Sequence, residues 1–417
     1  MALQWALCAL GAALAVGEGG AWAALLLLAG CLWQNLPANR RLLPAKPLGA
    51  LGGAAAGLAL YGAAGAVAWP LGTYGLLRPQ ALAHLLPLLA WPLVACAAGR
   101  ASERGRDRAL ATFGLAVAAA VLLGLLLGAA PLLRAEAWVR LDSWASEQNN
   151  VPSGLARAAG GLYFHRLKMA HVLLIGLGPL LGHVLMARVP LARLARAAGL
   201  LVLFTVALCL TFARAAYLGA AAGALTVLAV AAVSGAAPRR RLVALIVTAL
   251  CCGALILALR PDVRQRALST RSSGAAQVRA VIWSQATAIL WDHPLGIGLG
   301  NYPQVVARYY AANDPLTKSP RTYPHNFLLM AWAEAGPLGA LGFALFWMRL
   351  LCAGARALAY GPTPRHQQTG AALLFMVSAF VAVGLTHDVL FHNIVALAFF
   401  SALGLASAEL TPKAKSP

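Results

Sequence analysis

The sequence predicts an all-α integral membrane protein, and three observations carry that prediction. Of its 417 residues 61% are hydrophobic and only 11% charged, whereas a soluble domain carries about 25% charged residues to face water on all sides. Apolar runs around Val121 to Leu127, Leu201 to Leu210 and Leu242 to Leu259 approach or exceed the roughly 20 residues that cross hydrocarbon. Those runs are continuous. Barrel strands alternate polar and apolar residues, so helices, which satisfy their own backbone in lipid, are the element that fits.

Read in order, residues 1–417 form a single polytopic membrane domain with about twelve transmembrane helices. They fall near 3–16, 20–34, 48–68, 80–98, 109–133, 168–187, 197–212, 216–235, 242–260, 325–349, 369–387 and 391–409. The first two make a hairpin about Gly17-Glu18-Gly19-Gly20. The leading helix lacks the basic region of a signal peptide, so it reads as retained. All seven cysteines (Cys8, Cys31, Cys96, Cys209, Cys251, Cys252 and Cys352) sit within or at the end of apolar segments. They suit small hydrophobic side chains better than a disulfide framework.

Lysine and arginine in the short loops set the orientation. Arg40, Arg41 and Lys46 fall on one side, as do Arg100 to Arg108, Arg188 to Arg196, Arg239 to Arg241, Arg349 to Arg365, and the tail lysines Lys413 and Lys415. That side is predicted to be cytoplasmic, with both termini on it. These loops hold about 18 of the 33 basic residues, so anionic membrane lipid accounts for much of the net charge of +21 without nucleic acid.

The opposite, periplasmic side has two longer segments. Residues 134–167 place Trp138, Leu141 and Trp144 among polar residues, the pattern of an interfacial helix. Residues 261–324, between the ninth and tenth helices, form a large loop able to carry part of an active site. It holds seven basic residues against Asp262, Asp292 and Asp314. A cationic outer loop over a membrane suits an anionic, membrane-borne ligand, with phosphate the obvious chemistry.

Several constellations could carry that chemistry. Arg214 lies in Thr211-Phe212-Ala213-Arg214-Ala215-Ala216-Tyr217 between two apolar helices; it reads as a snorkelling residue or as a functional charge. Arg279 and Trp283 share one face of an amphipathic helix whose apolar side is Val278, Ile282, Ala286 and Ile289. The segment Asp292 to Tyr302, with Gly296, Gly298 and Gly300, looks like a dinucleotide motif but has no preceding strand. A tight glycine turn against the membrane surface fits it better. His325, after Pro324 and before Asn326, opens a long apolar helix; it is a capping residue or a general base. His165, Arg166 and His171 face the outer leaflet, and His387, Asp388 and His392 flank the last outer turn. Substrate contact, interfacial placement and, for the last three, a small metal site are the open alternatives. No carboxylate and histidine cluster in the outer loop has metal-ligand spacing, so no metal is expected.

Taken in order, Thr211 to Tyr217, Arg279 with Trp283, His293 to Tyr302, His325-Asn326 and Glu334-Ala335-Gly336-Pro337-Leu338-Gly339 resemble the O-antigen ligase family. Its wider superfamily includes O-antigen polymerases and bacterial O-oligosaccharyltransferases. The resemblance covers the C-terminal half, with its core at about 200–340. It implies a membrane glycosyltransferase of GT-C-like architecture in the inner membrane of a Gram-negative bacterium, with a periplasmic active site. The implied donor is a glycan on undecaprenyl diphosphate and the implied acceptor a hydroxyl of the lipid A-core. The reaction would invert the anomeric centre and need neither metal nor other cofactor.

The family's essential residues fall here on Arg214, Arg279 and His325, with Arg166, His165, Asn326, His387 and Asp388 as substrate-binding candidates. A polymerase or protein O-oligosaccharyltransferase would use the same donor. A polysaccharide or lipid transporter or flippase is the rival from another class, but it should show internal repeats, and the functional-looking residues here crowd one face and one half.

Overall fold

The computed structural model describes residues 2–16, 18–34, 51–71, 86–129, 166–261, 263–264, 273–310 and 323–411. Of the predicted interfacial segment only Arg166 and Leu167 fall within this set. His165 and parts of the large loop lie outside the described residues.

Every regular element among the described residues is helical. In chain order the longer helices are α1 (Ala2–Val16), α2 (Glu18–Gln34), α3 (Gly52–Leu71), α4 (Ala90–Arg100, entered by a 3-10 turn), α5 (Glu103–Ala129) and α6 (Arg166–Met186). Then come α7 (Leu191–Leu210), α8 (Arg214–Ser234), α9 (Arg239–Leu259), α10 (Ser273–Asp292), α11 (Phe327–Tyr360), α12 (Pro364–Gly384) and α13 (Asn393–Leu410). Local chemistry sets several ends. Gly235 adopts φ 66° to close α8, the left-handed cap that glycine adopts without a Cβ clash. Thr363 caps α12 by accepting from His366 N–H at 3.2 Å, with Pro364 in the first turn.

Each predicted span overlaps one of these helices. Among the described residues seven helices are long and apolar enough to cross a membrane: α6, α7, α8, α9, α11, α12 and α13. The apolar stretches Ala2–Ala15, Gly19–Leu32, Gly52–Ala68 and Leu86–Arg100 are shorter. At 1.5 Å per residue the 15 residues of α1 reach about 22 Å, less than the roughly 30 Å of hydrocarbon.

Packing is built on close backbone approach, as expected where lipid removes the hydrophobic drive between helices. Helix α12 is central. Gly178 and Gly182 of α6 press against the carbonyls of Ala372 and Gln368, and Gly219 and Gly223 of α8 against those of Ala379 and Phe375. A Cβ on any of these four would come within 2.6–2.9 Å of a backbone oxygen. Helix α3 crosses α11 at Gly57 and Gly342, each lying under the other's backbone. Helix α9 contrasts with these: none of its apolar window is buried, and Val243, Ile246, Val247 and Leu250 face outward. Apolar exposure all round a helix is the signature of lipid as the solvent.

The two ends of the bundle differ in chemistry. At one end, basic segments that sequence places on one side are tied together. Arg106 pairs with Glu409, Arg365 bonds Glu409 at 2.7 Å and Asp107 at 3.0 Å, and Arg241 donates to the Ala187 carbonyl at 2.7 Å, capping α6. Gln4 of α1 bonds Ser102 at the same end. The other end carries the candidate site.

Candidate functional site

Helices α6, α8, α11 and α13 all begin at this end, so four positive dipole ends converge there. Arg166 and Arg214 are the first residues of α6 and α8. A cation at a helix N-terminus is disfavoured by about 0.3–1 kcal/mol. Placing two there makes sense if an anion is held between guanidinium groups and helix N–H groups.

The turn before Arg214 explains the Thr211–Tyr217 motif. Thr211 Oγ1 donates to the Leu208 carbonyl at 2.7 Å and accepts from Ala213 N–H at 3.3 Å. Tyr217 donates its hydroxyl to the Cys209 carbonyl. Phe212 is thereby held at φ 52°, and its carbonyl accepts from the Arg166 guanidinium at 3.1 Å. The turn thus joins the starts of α6 and α8.

Arg279 comes from α10, whose buried face is Ile282, Ala286 and Ile289 as the periodicity predicts. Ala286 and Ile289 of that face join Ile297, Tyr302, Val305, Val306, Met330 and Ala333 in a small core distinct from the core of the bundle. Burial, and then the Arg214 charge, hold the Arg279 guanidinium below its ordinary value. Trp283, one turn on from Arg279, donates its indole N–H to the Pro324 carbonyl at 3.0 Å, which ties α10 to the residue before His325.

The glycine turn sits on protein rather than on the membrane surface. Helix α11 is broken at Gly336, with φ 66° and ψ −173°, and Pro337 follows. The break frees the carbonyls of Ala333 and Glu334; they accept from Ile297 N–H and Gly298 N–H, both at 2.9 Å. Gly296, Gly298 and Gly300 all have positive φ. At Gly296 a Cβ would lie 2.7 Å from the Glu334 carbonyl oxygen, so glycine is required by contact as well as by conformation.

His325 stands at φ 51°. Such a conformation costs about 1–3 kcal/mol outside glycine and persists where the surroundings enforce it. Asp388 supplies the enforcement: its Oδ2 accepts from His325 N–H at 2.9 Å and lies 3.0 Å from His325 Nδ1. The carboxylate is 5% exposed and the imidazole 34%. Asn326 caps α11, its Oδ1 accepting from Leu328 and Leu329 N–H at 3.0 and 3.1 Å; any contact it makes with a ligand is left to its amide nitrogen. The His387 ring lies 5.7 Å from that of His325 and 6.4 Å from that of His171. Burial, then the charges of His325, Arg279 and Arg166, push the His387 imidazole down to about 4 against a hydrogen bond to the Thr386 backbone. Buried His171 lies beneath the site, its ring also 6.4 Å from that of His392.

The structure therefore gathers Arg166, Arg214, Arg279, His325, His387 and Asp388 at one end of the bundle. Sequence reasoning missed two features: the direct Asp388–His325 pairing, and Glu334, whose carboxylate accepts Gly300 N–H at 2.8 Å in the buried interior. The Asp388 link spans 63 positions and leaves no local pattern. Glu334 could have been found as a charged residue inside an apolar helix. Among the described residues no group of three histidine, cysteine, aspartate or glutamate side chains could hold a metal ion.

Fold and site together define a helical membrane protein with a cluster of arginine and histidine side chains at one end. Residues 199–344, about a third of the chain, match the family model of the O-antigen ligase, Wzy_C. The matched stretch holds Arg214, Arg279 and His325, and the match supports an enzyme of glycosyltransferase-like, ligase or polymerase type. No curated protein matches the chain significantly.

Proposed function

We propose that the protein is an O-antigen ligase that moves a glycan from undecaprenyl diphosphate to a hydroxyl of the lipid A-core. The reading places it in the inner membrane with about twelve spans, both termini cytoplasmic and the site periplasmic. The observation that carries it is the His325–Asp388 pair set among Arg166, Arg214 and Arg279. Asp388 Oδ2 accepts a hydrogen bond from Nδ1–H, which leaves Nε2 as the ring nitrogen with the free lone pair. Nε2 then removes the proton from the acceptor hydroxyl as its oxygen attacks the anomeric carbon. The bond from that carbon to the diphosphate oxygen breaks, and the guanidinium groups with the helix starts take up the charge that develops there. One direct displacement inverts the anomeric centre.

The test is transfer by purified protein supplied with undecaprenyl-diphosphate-linked glycan and lipid A-core, with chelator and without nucleotide sugar. Product on lipid A-core, lost in His325→Ala, supports the ligase. Chain growth on the carrier alone would reassign the protein as a polymerase, and an untouched donor would overturn the enzyme reading.

A further inference from the structure

The Glu334-Ala335-Gly336-Pro337 motif has no part in the chemistry just described, yet it sits at the break in α11. Glu334 is 1% exposed. Its carboxylate accepts from Gly300 N–H at 2.8 Å and from the Tyr302 backbone. Its own carbonyl and that of Ala333 accept from Gly298 and Ile297 N–H. In an unbroken helix the Ala333 carbonyl would bond the N–H of residue 337, but Pro337 has none. The glycine turn supplies the missing donors, and the Glu334 side chain adds two further bonds to the same turn.

The outer piece of α11, Phe327 to Ala335, is thus held at its far end by this clamp. At its near end it is held by Asp388 on His325 and by Trp283 on Pro324. The positive φ of His325 lies between these restraints, so it depends on both ends. The same clamp joins the small core carrying Arg279 to α11. Leu299 of the turn also packs against α3, where a Cβ on Gly65 would meet its Cγ at 2.4 Å.

We propose that Glu334 is a positioning residue: its buried carboxylate locks the glycine turn into the break of α11 and so holds His325 against Asp388. Its effect on turnover rests on the transferase reading above; its effect on His325 does not. A full-length comparison of wild type, Glu334→Gln, Glu334→Asp and Glu334→Leu in lipid nanodiscs separates the two. One readout is the rate of diethyl pyrocarbonate modification of His325, followed by mass spectrometry with His366 as reference. The other is kcat and KM for glycan transfer.

Glu334→Leu should raise His325 modification about threefold and lower kcat about tenfold with little change in donor KM, the pattern of a lost transition-state alignment. Glu334→Gln, whose amide oxygen still accepts from Gly300, should stay within about threefold of wild type. Glu334→Asp, one methylene short, should follow the leucine variant and replaces it if leucine prevents folding. Wild-type behaviour in both the aspartate and leucine variants, or a glutamine variant as impaired as leucine, overturns the proposal. Absent transfer by the wild type sinks the transferase reading, while His325 reactivity still decides the clamp.

Discussion

At the scale of single residues, two strained backbones mark the site. Phe212 and His325 are the non-glycine residues with positive φ among those described, and both touch a site residue. Phe212 accepts from Arg166, and His325 is paired with Asp388. Asp388→Asn should keep donor binding and lower kcat by about 10², because an amide cannot hold the Nδ1 proton as a carboxylate does. Donor binding by native mass spectrometry beside a transfer assay would check it. Arg279→Lys should also lose activity about tenfold or more, since a single ammonium does not replace a planar fork on phosphate. His387 gives a pH prediction. Its value of about 4 lies below the ordinary 6.5, so the unfolded chain binds more protons between those values. The stability this contributes is complete above pH 6.5 and is lost as the pH falls towards about 4. Melting of the solubilised protein at pH 7.5 and 4.5 should show the drop, and His387→Phe should show less of it.

At the scale of elements, glycines place the helices. Gly178, Gly182, Gly219 and Gly223 let α6 and α8 reach the backbone of α12, and α6 and α8 begin at Arg166 and Arg214. A side chain at any of these glycines pushes a site arginine away along with its helix. Gly219→Leu should destabilise by about 1–3 kcal/mol, the usual effect of overpacking, and lower transfer in proportion to the displacement of Arg214. Gly253 of α9 has open space around it, so Gly253→Leu should leave both unchanged. Thermal unfolding and transfer rates for the two variants side by side decide this.

For the whole molecule, the basic end is a lock and the opposite end gathers the site arginines and histidines. Arg106 is 4% exposed, donates to the carbonyls of Ala98 and Ala101 and meets Glu409 near the end of α13. Removing Glu409 as Glu409→Leu leaves a buried guanidinium without its carboxylate and should cost about 3–5 kcal/mol, read as a lower melting temperature. Orientation is open to direct test in a cysteine-free background. Under the proposed topology a membrane-impermeant maleimide should label Trp291→Cys from the periplasm and spare Arg240→Cys. The reverse pattern would invert the protein in the membrane.

Apolar period and loop charge are local properties; they determined the helical, apolar class and the helix positions, and they anticipated that Arg106, Arg241 and Arg365 share one end. Motif spacing, again local, singled out Arg214, Arg279 and His325 as well as the glycine turn. What those residues touch was decided by tertiary structure. Asp388 finds His325 because α12 and α13 return the chain to the start of α11. The glycine turn meets Glu334 because Pro337 and Gly336 open the helix there. Such contacts depend on where distant segments end in space, and hydropathy constrains the axis of a membrane helix far more tightly than its partners, since lipid and neighbouring helices are equally apolar.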